Sequence, residues 1–416
     1  MIGLRRLFLL VGIVIPALAA PVDKLAAEIV PNKYIITLKP GVSVSDIDTH
    51  LNWVRDVHAR SLSRRDTVGI ENLYSIRDFN AYAGTFDAAT INEIRHSDQA
   101  SSPSILNVSQ VAAVEQDKVW RLLDEADYVS NLATQKEAPW GLGSISHKKP
   151  HFTDYVYNSN AGQGTFAYLV DTGVRTTHVE FEGRAVFGYN AYPSSDNNDN
   201  YGHGTHTAGT IGGKTYGVAK KATVVAIKVF DTGSSTTAIV MDGFNWAVKN
   251  ITDSGRQDVS VISMSLGGPQ SDAFNAAVKA AYNSGVLSVV AAGNDGVDAK
   301  DSSPASAPEA ITVGAIDVDN TRPYWSNTGT IVDIFAPGVD VLSSWNENDT
   351  DSLLLDGTSM ATPHVAGLVL YLKSVDKANA KAAAVAAKVK SLGTKGVVQS
   401  GGTGSPNLIA YNGNGA

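Results

Sequence analysis

Cysteine is absent from the 416-residue chain. That excludes a disulfide framework, a thiolate nucleophile and any metal site built on thiolates. Stability must therefore come from burial of a core, with bound metal ions as a second source. Charge is sparse as well, at 18% of residues with a formal net charge of -8. With that acidic balance and no basic run, no surface is built to track phosphates, and no nucleic-acid partner is expected. Beyond the N terminus no apolar run is long enough to span a membrane. What remains is 43% hydrophobic and rich in glycine, with 38 residues. This is an ordinary globular composition, long enough for one large domain and one smaller one.

The first twenty residues stand apart. MIGLRRLFLLVGIVIPALAA places Arg5 and Arg6 before an apolar stretch and ends on the small residues Ala17, Ala19 and Ala20. A charged region, a hydrophobic region and an A-x-A-like end predict a secretory signal over residues 1–20. A membrane anchor is the competing reading, but the stretch is too short to cross a bilayer comfortably. The expected location is extracellular, with no membrane attachment after the signal is removed. N-x-S/T triplets at Asn107, Asn250 and Asn348 are candidate glycosylation sites on an exported chain.

Residues 21–132 carry their own alternation of elements. NKYIITLKPG reads as a strand closed by Pro-Gly, and Val44, Ile47, Leu51, Val54 and Val57 recur at a helical period. NAYAGTF and QVAAVEQDKVWRLL read as strands flanking a second helix, DAATINEIRHS. The resulting β-α-β-β-α-β order predicts a small ferredoxin-like α+β domain. An acidic stretch without period follows. From residue 133 to 416, short apolar runs (GTFAYLV, TVVAIKV, DVSVISMS, GVLSVVAA, AITVGAI, VDIFAP) alternate with helical segments. Runs apolar on both faces, alternating with helices, predict an α/β domain with a doubly wound, mainly parallel sheet.

Reactive residue types collect at the carboxyl ends of those strands, where ligands bind in such sheets. Asp171 follows FAYLV, His203 opens a small-residue helix in NYGHGTHTAG, Asn294 follows VVAAG, and Ser359 starts a helix in LDGTSMATPH. A serine hydroxyl needs a base to become a nucleophile, and that base needs a carboxylate to fix its tautomer. A tetrahedral oxyanion needs donors, which Asn294 and the Ser359 backbone N–H would supply. The expected chemistry is acyl transfer. Taken singly, each residue has a plainer reading as a turn or packing residue. His364, five residues after Ser359, is a rival histidine expected to pack against the sheet.

Asp-Thr-Gly, His-Gly-Thr-His and Gly-Thr-Ser-Met-Ala-x-Pro, in this order, resemble the subtilisin-like serine proteases, and APWGLGSISH resembles their proteinase K branch. The resemblance implies a secreted serine endopeptidase with a subtilisin-like catalytic domain, acting through Asp171, His203 and Ser359 with Asn294 at the oxyanion. It needs no cofactor for catalysis. The resemblance further implies that the preceding domain is an inhibitory propeptide, removed autocatalytically near Leu132–Ala133 (a plain linker is the alternative). The resemblance also implies protein and peptide substrates bound as an added strand. Gly233, Ser234, Ser265, Leu266, Gly267, Ala292 and Gly293 would line that cleft, with small uncharged walls suited to apolar or aromatic residues before the scissile bond. Related enzymes digest extracellular protein, keratin included. A structural calcium is implied at Asp333 and the carbonyls of Pro308 and Ala310, with simple pairing of Asp333 as the alternative. Lys148 stands where a second, weaker site would need a threonine. A monomer is expected.

A second Asp-Thr-Gly, in KVFDTGSST at Asp231, mimics the paired triplets of a two-carboxylate peptidase. The two aspartates are separated by the histidine motif and by α/β texture rather than lying in two β-rich lobes. Asp231 is therefore expected to be a decoy beside the cleft. A catalytically silent binder of the same fold is the other alternative, against which the complete residue set argues.

Overall fold

The computed structural model describes residues 29–61, 67–96, 110–122, 137–192 and 194–414. The signal sequence, Asn107 and the expected junction at Leu132–Ala133 lie outside them. The N-terminal domain runs β1 (Ile29–Leu38), α1 (Val44–Arg60), β2 (Gly69–Ile76), β3 (Phe79–Thr85), α2 (Ala88–Arg95) and β4 (Val111–Leu122). Ser43 and Asp87 start the two helices by accepting the N–H groups of Asp46 and Thr90. The strands pair in the antiparallel order β4-β1-β3-β2, as the ferredoxin-like reading requires. Alternation along β1 sends Ile36 and Leu38 into a cluster with Leu51, Val54, Phe86, Ile91 and Ile94. Ile35 points the other way, with Tyr74, Ile76 and Phe79, into the core of the larger domain.

That domain continues with α3 (Trp140–Ser146), β5 (Phe166–Asp171), β6 (Ala185–Asn190), α4 (His203–Gly212), β7 (Thr223–Lys228), β8 (Ser234–Thr236) and α5 (Thr237–Asp253). Next come β9 (Ser260–Met264), β10 (Leu266–Pro269), α6 (Asp272–Asn283), β11 (Ser288–Ala291), β12 (Ser302–Ser303), β13 (Ile311–Ile316) and β14 (Ile334–Pro337). The chain closes with β15 (Val341–Ser344), β16 (Ser352–Leu355), α7 (Thr358–Val375), α8 (Ala382–Leu392), β17 (Thr394–Lys395) and β18 (Leu408–Ile409). A nine-stranded sheet of order β17-β18-β14-β13-β11-β9-β5-β7-β6 is parallel except for its β17–β18 pair. Both faces are covered, as strands apolar throughout demand. Tyr168, Val170, Val225 and Ile227 pack with α5 and α6 residues. Leu169, Val224 and Ala226 pack instead with Ala208 and Ile211 of α4 and Val365 and Val369 of α7.

The strand order reverses between β5 and β9, and the crevice at such a reversal is where an open α/β sheet binds its ligand. Here β4 of the first domain joins a second sheet, pairing antiparallel with both β8 and β10 of the larger domain. Two carboxylates on β4 reach helix starts of the larger domain. Glu115 accepts from Ser271, the residue capping α6, at 2.6 Å, and Asp117 accepts the N–H of Ala238 in the first turn of α5 at 3.3 Å. Negative charge there complements the exposed N–H groups and the helix dipole. Among the described residues no helix is long and apolar enough to cross a membrane.

Candidate active site

Asp171 ends β5 with its side chain fully buried. Its Oδ1 accepts the N–H of Thr172 at 2.7 Å and His203 Nδ1 at 2.8 Å, while Thr207 donates to Oδ2 at 3.3 Å. A carboxylate that only accepts obliges Nδ1 to carry the proton, which leaves Nε2 as the basic nitrogen of a neutral ring. His203 is placed by the way α4 begins. The buried carboxylate of Asp199 accepts the N–H groups of Gly202 and Thr205 at 2.8 Å each, and the hydroxyl of Thr172 at 2.7 Å. Glycine is required twice here. Gly202 has φ +106°, and a Cβ on Gly204 would lie 2.0 Å from the Gly173 carbonyl, so only glycine lets α4 approach β5 this closely.

Ser359 is the second residue of α7, a helix buried over most of its length that packs against α4. Pro363 lies four residues further on and has no N–H, so it cannot bond the Ser359 carbonyl. Ser265 fills the gap. Its hydroxyl donates to the Ser359 carbonyl at 2.7 Å, and Ser359 Oγ donates to the Ser265 carbonyl at 3.1 Å. This reciprocal pair ties the start of α7 to the segment joining β9 and β10. Asn294, three residues after β11, accepts the N–H of Thr358 at 2.9 Å and its hydroxyl at 2.8 Å on Oδ1. The Thr358 hydroxyl in turn accepts the N–H of Gly293 at 3.1 Å. With Oδ1 so held, Nδ2 is buried and has no hydrogen-bond partner among the described residues. A buried, oriented donor without an acceptor is a costly feature unless an anionic oxygen is to be bound there.

The cleft residues expected from sequence fall on both sides of β4. Ser234 stands opposite Arg121, Gly267 opposite Arg121 and Leu266 opposite Leu122. Gly233 precedes β8, with the Tyr201 hydroxyl beside it. Ala292 and Gly293 follow β11, where Asn327 donates to the Ala292 carbonyl at 2.9 Å. A foreign strand thus lies where the sequence predicts a substrate strand.

Asp231 shares no partner with Asp171. It accepts from Ser195 at 2.5 Å and Asn200 at 3.1 Å and pairs with Lys228 at 2.9 Å. The hydrogen bond from Ser195, then that from Lys228, hold its carboxyl down to about 2. With its oxygens engaged by Ser195, Asn200 and Lys228 rather than by Asp171, it forms no two-carboxylate dyad. His364 is buried in α7 with Nδ1 donating to the Met360 carbonyl at 2.9 Å, and burial depresses its pKa to about 4. It packs as expected. Asn250 lies in α5 and accepts from the Tyr168 hydroxyl at 2.7 Å, whereas Asn348 is exposed on a turn. Lys148 sits over the Tyr411 ring.

The calcium expectation meets a different arrangement. Asp333 accepts the Thr312 N–H at 2.9 Å on one oxygen and holds the Lys390 ammonium at 2.7 Å on the other. Calcium takes six to eight oxygens and draws on free carboxylate charge. With both oxygens engaged and a cation already alongside, Asp333, Pro308 and Ala310 as arranged do not fit a calcium ion.

Several supporting residues escaped the sequence reading. Asp199 had a signal, an acid four residues before a helix-opening histidine, but Thr207, Thr172 and the anchoring role of Thr358 had none that stands out from any threonine. Residues 162–405 match the model of the subtilase family, and residues 33–123 match that of peptidase inhibitor I9. "Subtilisin-like proteinase Mp1" of Magnaporthiopsis poae is 58% identical over 420 residues, covering 99% of each chain. "Alkaline protease 1" of Aspergillus flavus is 51% identical, again over 99% of each chain. A crystal structure of a cold adapted subtilisin-like serine proteinase superposes with a TM-score of 0.61 at 38% identity, over 67% of this chain and 99% of the other.

Proposed function

Because the chain belongs to the subtilase family and is a serine endopeptidase with its own I9 inhibitor domain, we propose that Ser359, His203, Asp171 and Asn294 perform the reaction in an exported zymogen. The observation that carries this reading is the fully buried Asp171–His203 hydrogen bond of 2.8 Å. In the reading, His203 Nε2 takes the proton of Ser359 Oγ as that oxygen attacks the substrate carbonyl. Asp171 stabilises the imidazolium, and Asn294 Nδ2 with the Ser359 N–H stabilises the oxyanion. The imidazolium then protonates the leaving amine, and a water releases the acyl group by the same route. The N-terminal position of Ser359 in α7 adds the positive end of the helix dipole.

Export rests on the charged, apolar and small-residue pattern of residues 1–20. The exposed turn around Asn348 favours that residue over Asn250 for a glycan. Buried Leu266, Ala292 and Gly293 favour apolar or aromatic side chains before the scissile bond. Bulk extracellular protein, keratin included, is the substrate class that follows from the resemblance. Labelling with an organophosphonate, read by peptide mass mapping beside Ser359→Ala, tests the assignment. Label confined to Ser359, with activity lost in the variant, is the expected result. Label elsewhere, or an active Ser359→Ala enzyme, would overturn it.

A further inference from the structure

We propose that Asn327 is a positioning residue for the oxyanion amide: it holds the loop that carries Asn294, and catalysis depends on it through Asn294. The inference rests on Asn294 being the oxyanion donor and adds what fixes that donor in place. Residues 292–297 follow β11 without helix or strand structure of their own. Buried backbone groups in such a segment need partners from outside it. Asn327 makes four such bonds. Its Nδ2 donates to the Ala292 carbonyl at 2.9 Å, and its Oδ1 accepts the N–H groups of Asp295 and Val297 at 3.0 Å each. Its own N–H donates to the Gly293 carbonyl at 2.9 Å. Bonds at residues 292, 293, 295 and 297 therefore bracket Asn294 on both sides.

A carboxamide suits this set. Two of the loop groups donate and one accepts, so the side chain must offer both an N–H and an oxygen with two lone pairs. Asn327 is only 1% exposed, so water does not compete for these partners. The segment that carries it is braced in turn. Gly296 N–H donates to the Trp325 carbonyl at 2.7 Å, and Thr328 N–H donates to the Val297 carbonyl at 2.9 Å. The Arg322 guanidinium donates to the carbonyls of Pro323, Tyr324 and Ser326. Asn294 thus has two supports from different elements. Thr358 of α7 holds its side chain by Oδ1, and Asn327, in the loop after β13, holds the backbone from which that side chain projects. An oxyanion donor acts only at about 2.7–3.1 Å from the developing charge, and a misplacement of about 1 Å costs about 10²-fold.

The test is a double-mutant cycle on the processed enzyme, with active sites counted by organophosphonate titration. Asn327→Ala removes three hydrogen bonds and should lower kcat about 10- to 100-fold, with KM changed less than about twofold. Affinity for a peptide boronic acid, whose tetrahedral adduct sets an oxygen against Asn294, should fall by a similar factor. Affinity for the cleaved peptide product should not. In an Asn294→Ala background the same substitution should cost less than about twofold in kcat, because the group it positions is already gone. Asn327→Ser, whose hydroxyl both donates and accepts but reaches less far, replaces the alanine variant if that chain does not fold. It should show a smaller fall with the same dependence on Asn294. An unchanged kcat, a loss confined to KM, or an equal fall in the Asn294→Ala background would overturn the proposal and leave Asn327 a residue of the fold alone. An Asn294→Ala enzyme of unchanged kcat would instead sink the reading of the oxyanion donor.

Discussion

Replacing Thr358 by valine keeps the shape of the side chain but removes the hydroxyl that orients Asn294. Two hydrogen bonds go with it, one donated to Asn294 Oδ1 at 2.8 Å and one accepted from Gly293 N–H at 3.1 Å. Each is worth about 0.5–1.5 kcal/mol net, and a buried N–H left without an acceptor adds about 1–3 kcal/mol. The expected stability loss is therefore about 2–6 kcal/mol. Asn294 keeps one anchor, the Thr358 N–H at 2.9 Å, so its Nδ2 is loosened rather than lost. Loosening that costs about 1 kcal/mol of transition-state stabilisation lowers kcat about fivefold. Deleting the amide altogether in Asn294→Ala should cost about 10²–10³, a range measured for the oxyanion amide of a subtilisin and adopted here for a family member. The assay is kcat and KM on a chromogenic peptide anilide, alongside urea unfolding, with Thr358→Ser as the variant expected to restore both. The orienting role predicts a fall in kcat at nearly constant KM. A loss confined to KM, or unchanged kcat in a destabilised Thr358→Val enzyme, would refute it and leave Thr358 a packing residue.

Asp171→Asn should lower kcat by roughly 10⁴-fold with little change in KM, because the amide admits the wrong histidine tautomer; steady-state kinetics on the same anilide checks this. Burial raises the carboxyls of Glu115 and Asp117 above their ordinary values of 4.5 and 3.8. The bound propeptide thus takes up protons more readily than the free one, so its hold is strongest below those ordinary values and weakens as pH rises through the raised ones. Dissociation of the cut propeptide should accelerate across that window, and a Glu115→Gln, Asp117→Asn chain should show a flatter pH profile; an unchanged profile would reject the linkage. Because Lys390 pairs with Asp333, chelation of calcium should leave the Tm of the protein unchanged, whereas a chelator-induced fall of several degrees, seen by calorimetry, would show that the pair opens for the metal.

Much of this protein could be read along the chain because the relevant physics is local or periodic. Strands buried on both faces had to be apolar throughout, so β5, β7, β9, β11 and β13 stood out as runs. The helix-opening glycines before His203 and Ser359 marked the sharp turns that deliver reactive side chains to a sheet edge. Residue types alone also placed Asp171, His203, Asn294 and Ser359 at strand ends, since acyl transfer calls for an acid, a base, a donor and a nucleophile. Strand order was not legible, because pairing joins residues far apart in sequence, and neither was the insertion of β4 between β8 and β10. β8 and β10 are three and four residues long, too short to carry a pattern of their own. Two identical Asp-Thr-Gly triplets differ only in surroundings: Asp171 is sealed beneath α4 against His203, while Asp231 faces Ser195 and Lys228 at the surface. The same holds for Asp333, where the family resemblance implied a calcium ligand and folding brings Lys390 of a distant helix alongside. Sequence decided which groups were available. Tertiary structure decided which of them are paired, because pairing depends on distance in space and on exclusion of water, and neither is written in the order of residues.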